Sequence, residues 1–352
     1  MNSQAKLFKI VNAFKIHGNI LDITPLGNGL INDTLKVVTP DKAYVLQRIN
    51  HSIFKDVDLL QHNIEVVTNH IREKGHTSLE FIQNKENGKT YYKDDEGNYW
   101  RVSLFINDSV TYEAVNPEYS EKAGRAFGEF EAMLVDVPEQ LGETIPDFHN
   151  MSLRLSQIRE AVQADPAHRV SEVKELLELV EKYGDEICKA DRLYAEGKLP
   201  KRICHCDTKV NNMLFNKNGD FLCVIDLDTV MPSFVFSDFG DFMRTAANPV
   251  AEDSPELDKV DVKMDIFKAF AKGYLEGAKS FITPIEKENL PYAVRLFAFM
   301  QCVRFLCDYI NGDTYYKIQY PEHNLVRAKN QMQLFLSATK KEKEMKDFIN
   351  SL

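Results

Sequence analysis

The order of patterns along the chain predicts an α+β protein, a small antiparallel β-sheet lobe followed by a larger, mostly helical lobe. Three observations carry this. Period-two alternation and turn signals dominate residues 20–106, helical spacing dominates from 107 onward, and two short strands joined by a tight turn interrupt the helices between 212 and 227. The division falls at 106/107, giving lobes of 1–106 and 107–352.

Taken in order, residues 5–16 place apolar side chains three and four apart and read as an amphipathic helix. From Ile20 to Asn50, LDITPLG, INDTLKVVT and AYVLQRI read as strands separated by Gly-Asn-Gly and Pro-Asp-Lys turns. Val57, Leu60, Ile64, Val67 and Ile71 set a helix over 56–74, with Gly75 as its stop. Strand patterns return from Leu79 to Ile106, punctuated by Asn87-Gly88 and by Glu96-Gly97-Asn98. Helices are then expected at 117–134, 151–163, 171–196, 259–279, 285–311 and 322–350.

Composition narrows the function classes. With 16 Gly and 13 Pro in 352 residues, collagen-like and low-complexity classes are excluded, and 44% apolar with 27% charged residues is ordinary for a folded globular chain. The net charge of −10 repels phosphate backbones and anionic headgroups, so neither nucleic acid nor a membrane surface is the expected partner, and no protein partner is inferred. The six cysteines lack disulfide-scaffold spacing and read as reduced thiols of a cytoplasmic protein. Lys and Asn interrupt the N-terminal apolar positions, which argues against a signal peptide, and no apolar run approaches the 18 residues of a membrane span.

The chemistry concentrates in ICHCDTKVNNMLFNKNGDFLCVIDLD, Ile203 to Asp228. Asp207 follows an apolar-flanked His205, with Lys209 and Asn212 close behind. A hairpin comes next, and Asp226 stands at the end of its second strand. A carboxylate at the end of a buried strand is costly unless a cation pairs with it, and Mg²⁺ takes a few hard protein oxygens while leaving room for phosphates. Phosphoryl transfer needs these parts: a carboxylate for the proton of the attacking hydroxyl, an amide and a second carboxylate for the metal, and a cation near the phosphate in flight. The roles are Asp207 as base, Lys209 as cation, and Asn212 and Asp226 as metal ligands. Asp228 either faces the metal through water or caps a turn. Cys204, His205, Cys206 and Cys223 lack the paired spacing of a zinc site.

This segment resembles the catalytic core of the aminoglycoside phosphotransferase family, which shares the bilobal protein-kinase-like fold. More narrowly, HCDTKVNN, VIDLDTVMP, LGNGLINDT and YVLQRIN resemble bacterial N-acetylhexosamine 1-kinases. The resemblance implies an ATP- and Mg²⁺-dependent kinase whose small-molecule sugar substrate is phosphorylated on its anomeric hydroxyl. The other readings are a kinase of choline, homoserine or an aminoglycoside, and a non-catalytic nucleotide-binding module.

The same resemblance places ATP in the N-terminal lobe. Gly27, Asn28 and Gly29 would let the backbone approach the phosphates, Arg48 would stand where kinases carry a strand lysine, and backbone groups of Leu104, Phe105 and Ile106 would meet the adenine. The acidic partner of Arg48 is left open between Glu65 and a helix turn that presents Asn63 instead. Asp238, despite the string Asp238-Phe239-Gly240, would act with His205 as structural support, its carboxylate accepting backbone N–H groups as an N-cap does. Candidate sugar contacts are His149 in the loop before a helix, Arg304 and Asp308 in a late segment, and Asn32 and Asp33 after the glycine turn. The plainer reading of Arg304 and Asp308 is an i,i+4 salt bridge.

Overall fold

The computed structural model describes residues 3–26, 33–112 and 115–352. The chain forms two compact units, one of residues 1–111, 136–146 and 213–231, the other of 112–135, 147–212 and 232–352.

The first unit is built on a five-stranded antiparallel sheet. Its strands are β1 (Asp22–Pro25), β2 (Asp33–Val38), β3 (Ala43–Ile49), β4 (Tyr91–Lys93) and β5 (Tyr99–Leu104), in the order β1-β2-β3-β5-β4. Side chains alternate between its faces. Val37, Tyr44, Leu46, Trp100 and Val102 form one core with Ile10, Val11 and Phe14 from the N-terminal segment. The opposite parity carries Lys36, Gln47, Arg101 and Ser103, a polar set held by the register Lys36↔Val45, Gln47↔Arg101 and Val45↔Ser103. Helix α1 (Ser3–Asn12) ends four residues before the sequence pattern does, because Phe14 bridges Asn84 and the Lys15 N–H donates to the Gln83 carbonyl at 2.9 Å.

Helix α2 (Val57–Glu73) is the expected one. Asp56 caps it by accepting the Leu59 N–H at 2.9 Å, and the predicted stripe Val57, Leu60, Ile64, Val67 and Ile71 is buried. The hairpin of Met213–Asn216 and Phe221–Val224 belongs to this unit rather than to the helical one. The reason is a ladder the sequence does not display: β6 (Ser109–Val110) pairs with the hairpin, Ser109 opposite Asn216 and Val110 opposite Phe215.

The second unit is helical: α3 (Pro117–Met133), α4 (Met151–Ala164), α5 (Lys174–Ile187), α6 (Lys189–Ala195), α7 (Val235–Ala246), α8 (Met264–Ala278), α9 (Pro284–Glu288), α10 (Leu290–Ile310) and α11 (His323–Ser351), with a short strand β7 (Arg202–Cys204). Two expected helices divide, one at Cys188 and one at Asn289. Helix α7 is absent from the helices expected by periodicity although its period is present: Ser237, Asp238, Asp241 and Arg244 recur three and four apart, a polar stripe that is itself buried.

Helices α3 and α8 meet backbone to backbone. A Cβ on Gly273 would lie 1.9 Å from the Glu121 carbonyl oxygen, and one on Gly124 2.2 Å from that of Phe270. Contrary to the sequence expectation, α10 is long and apolar enough to cross a membrane by length and composition. Most of that apolar stretch, 83%, is buried inside the protein, as in the core helix of a globular domain.

Candidate active site

The segment after β7 is fixed in the second unit by one buried carboxylate. Asp238 lies inside α7, four residues beyond the N-cap Phe234, and so is not itself an N-cap. Its Oδ2 accepts the His205 N–H at 2.8 Å and its Oδ1 the Cys206 N–H at 2.7 Å, while its backbone carbonyl accepts the Thr208 hydroxyl at 2.8 Å. Cys206 takes a left-handed backbone, φ 62°, which turns two successive N–H groups toward a single carboxylate. The His205 ring is buried edge-on to Phe127 and Phe130, and its Nδ1 accepts the Asp207 N–H at 3.2 Å.

On this braced loop, Asp207 and Lys209 form an ion pair of 2.7 Å, both partly exposed. Asn212 donates through Nδ2 to the Asp207 carbonyl at 2.8 Å, and its own N–H donates to the Lys209 carbonyl at 3.0 Å. With the amide nitrogen engaged by the loop, Oδ1 is the atom Asn212 offers, an oxygen of the kind Mg²⁺ prefers. The structure thus brings Asp207, Lys209, Asn212, His205 and Asp238 together.

Behind the brace, Glu131 of α3, Cys204 and Asp238 present ligand atoms within 4.8 Å of one another, all buried. The Tyr274 hydroxyl of α8 donates to Glu131. Burial pushes Glu131 well above its ordinary 4.5, the neighbouring Asp238 adds to the shift, and burial also raises Asp238 and Cys204. Burial and the neighbouring Asp238 thus favour the protonated form of Glu131.

In the first unit, Asp226 is exposed and left-handed, φ 61° and ψ 53°, just past the hairpin strand Phe221–Val224. Asp228, two residues on, is buried and ion-paired to Arg101 of β5 at 2.5 Å. Arg48 pairs with Asp33 at 2.7 Å, so its partner is neither Glu65 nor Asn63. Asn63 instead donates to the Val230 carbonyl at 2.9 Å and the Gly142 carbonyl at 2.8 Å, and Glu65 accepts the Thr90 hydroxyl. By strand parity Arg48 falls with Tyr44 and Leu46, opposite to Gln47 and Arg101. The Leu104 and Phe105 N–H groups donate to the Glu80 carbonyl at 2.8 Å and the Ala43 carbonyl at 2.9 Å, and Ile106 accepts the Ser109 hydroxyl through its carbonyl. Gly27, Asn28, Gly29 and Asn32 lie outside the described residues.

The late segment is arranged differently from an i,i+4 salt bridge. Asp308 is buried and accepts the N–H groups of Thr314, Tyr315 and Tyr316 at 2.9, 2.8 and 3.0 Å. Arg304 bonds Gln301 at 3.2 Å, and its guanidinium lies 5.2 Å from the Phe148 ring centroid and 5.7 Å from that of Tyr316. His149 stacks on Phe148, bonds the Ser237 hydroxyl at 2.9 Å, and is held well below its ordinary 6.5 by burial and then by Arg304, Arg154 and Arg244.

Sequence reasoning missed Arg101 and Lys36. The signal for Arg101 was a charge inside YWRVSL, an otherwise apolar strand. Lys36 of β2 sits with its ammonium 4.2 Å from the centroid of the Phe105 ring, which only the sheet register could reveal.

Residues 22–263 match the model of the phosphotransferase enzyme family. Among solved structures, the chain is similar to an aminoglycoside phosphotransferase from Alicyclobacillus acidocaldarius, with 12% identity and TM-score 0.63, over 100% of this chain and 97% of that one. It is also similar to a spectinomycin phosphotransferase solved with ADP and spectinomycin, at 12% and 0.61, over 97% and 98%. The third likeness is to a choline kinase from Streptococcus pneumoniae, at 15% and 0.55, over 97% and 99%. At such identities the likeness establishes the fold, which is the bilobal kinase-like α+β fold expected from the sequence.

Proposed function

The chain belongs to the phosphotransferase enzyme family, and within it we propose that it is an ATP- and Mg²⁺-dependent kinase of the anomeric hydroxyl of an N-acetylhexosamine. Asp207 accepts the hydroxyl proton, and Lys209, paired with it at 2.7 Å, is the cation near the phosphate in flight. Asn212 and Asp226 are the oxygen ligands for Mg²⁺, which when bound neutralises charge on the transferred phosphate. Arg48, half exposed and paired with Asp33, is the phosphate-gripping cation of this reading. Since the Leu104 and Phe105 N–H groups are engaged within the first unit, Ile106 supplies the adenine-facing N–H.

The observation that carries the acceptor class is the charge around His149. Arg304 and Arg154 act on that imidazole and bond amide or carbonyl oxygens rather than carboxylates, whereas Arg244 is ion-paired to Asp241 and Glu252. A cationic acceptor such as choline or an aminoglycoside would meet repulsion there. A neutral sugar gains hydrogen bonds from the arginines and stacking from Phe148 and Tyr316. Asp308 shapes this region through the 314–316 backbone, and His149 receives a sugar hydroxyl as a neutral imidazole. Asp33, and Asn32, which lies outside the described residues, remain the acceptor candidates of the N-terminal segment.

An ADP-release screen over GlcNAc, GalNAc, glucose, choline and kanamycin, with the product identified by phosphorus NMR, tests this reading. Turnover with an N-acetylhexosamine and a signal coupled to the anomeric proton are expected. Turnover with choline or kanamycin alone, or phosphate at another ring carbon, would overturn it.

A further inference from the structure

We propose that Arg101 is the positioning residue for Asp226, acting through Asp228, and that Asp228 is an anchor rather than a metal ligand; this rests on the phosphotransfer reading above. Asp226 adopts a left-handed backbone that residues other than glycine visit sparingly, asparagine and aspartate most readily. Such a conformation persists only where its flanks are fixed.

Both flanks are fixed. Before it, Val224 is registered against Met213 in the hairpin. After it, the Leu227–Thr229 turn is held at three points: the Asp228 carboxylate by Arg101 at 2.5 Å, the Asp228 carbonyl by the Thr144 hydroxyl at 3.0 Å, and the Val230 carbonyl by Asn63 at 2.9 Å. Arg101 is itself oriented by two glutamines. Its Nε donates to Gln47 of β3 at 3.0 Å and its Nη1 to Gln61 of α2 at 3.3 Å, while the Phe81 ring centroid lies 5.6 Å from the guanidinium carbon.

Arg101 is 2% exposed, so this cation cannot reach a phosphate. Its charge acts on Asp228, which is 3% exposed. Without it, a second carboxylate two residues from Asp226 would compete for any divalent ion. With it, the Asp228 carboxylate is neutralised and Asp226 stands on a loop tied to the sheet and to α2. Residues that hold a ligand from behind commonly change metal affinity about 10–100-fold when replaced.

The test uses the full chain and its Arg101→Met, Arg101→Lys and Arg101→Met/Asp228→Leu variants. Calorimetric titration with ADP across a Mg²⁺ series reads the metal-dependent part of nucleotide binding without turnover. A Mg²⁺ titration of kcat and an acceptor KM are measured alongside. Arg101→Met is expected to weaken the Mg²⁺-dependent part about tenfold or more, with metal-free ADP binding and acceptor KM unchanged, and Arg101→Lys to recover part of the loss. Should Arg101→Met not fold, the double variant, which buries no unpaired charge, carries the same expectation. Wild-type Mg²⁺ dependence in the folded variants overturns this inference alone. A wild-type protein whose ADP binding ignores Mg²⁺ overturns it together with the phosphotransfer reading.

Discussion

Asp238 holds His205 by its backbone: one carboxylate oxygen takes the His205 N–H at 2.8 Å, and the other takes the N–H of the next residue at 2.7 Å. The loop bearing the proposed base is therefore bolted to α7 through main-chain atoms. Asparagine in place of Asp238 keeps one acceptor and turns an NH₂ toward the second amide. Asp238→Asn is expected to lose roughly 2–3 kcal/mol in urea denaturation. Its kcat should fall about 10²-fold with the ATP KM little changed, as for a misplaced catalytic group.

Asp207 behaves oppositely. Its partner Lys209 is 41% exposed, so the ion pair adds at most about 1 kcal/mol. Asp207→Asn should leave the urea midpoint nearly unmoved while lowering kcat by about 10²–10⁴. A large drop in stability, or full activity, would contradict the assignment of Asp207 as base.

Glu131 makes folding depend on pH. Its carboxyl is raised well above 4.5 in the folded protein, burial being the first cause. The folded state therefore binds a proton that the unfolded chain releases above about 4.5. That contribution is complete below the unfolded value and is lost as pH rises toward the folded one. Glu131→Gln, which supplies a neutral side chain of the same shape, should flatten the decline in unfolding free energy from pH 5 to 8. Glu131→Ala should lower stability across the range. A Gln variant with the wild-type slope would show that Glu131 is ionised.

Gly273 tolerates no side chain. A Cβ there would sit 1.9 Å from a backbone oxygen of α3, and neither helix has a flexible atom to yield. Gly273→Ala is expected to cost at least about 2–3 kcal/mol, in the upper range for overpacking, despite alanine's better helix propensity, and a thermal melt reads it directly.

The lobes and the catalytic string were legible in the sequence because their signals are local. The stripe Val57–Leu60–Ile64–Val67–Ile71 needs only its own spacing to announce α2. What stayed hidden depends on partners distant in sequence. Helix α7 carries polar residues at helical spacing, Ser237, Asp241 and Arg244, but that stripe is buried against the protein, so its period marks no solvent face. Arg101 reads as a defect in a strand until Asp228, from a loop more than a hundred residues later, arrives beside it. Arg48 and Asp33 look like two separate site residues and are a cross-strand pair. Arg304 and Asp308 have helical spacing that suggests a bridge, yet Asp308 is committed to the chain at 314–316.

The contact between α3 and α8 reaches further than its own stability. Because Gly124, Gly128, Gly273 and Gly277 leave no side chain between the helices, the pair packs at backbone contact, in the register that brings the Tyr274 hydroxyl to Glu131. One turn of slippage would carry them about 5.4 Å apart. Four residues with no functional group at all thus act as the keyway that sets the Tyr274 hydroxyl against Glu131 behind the active loop.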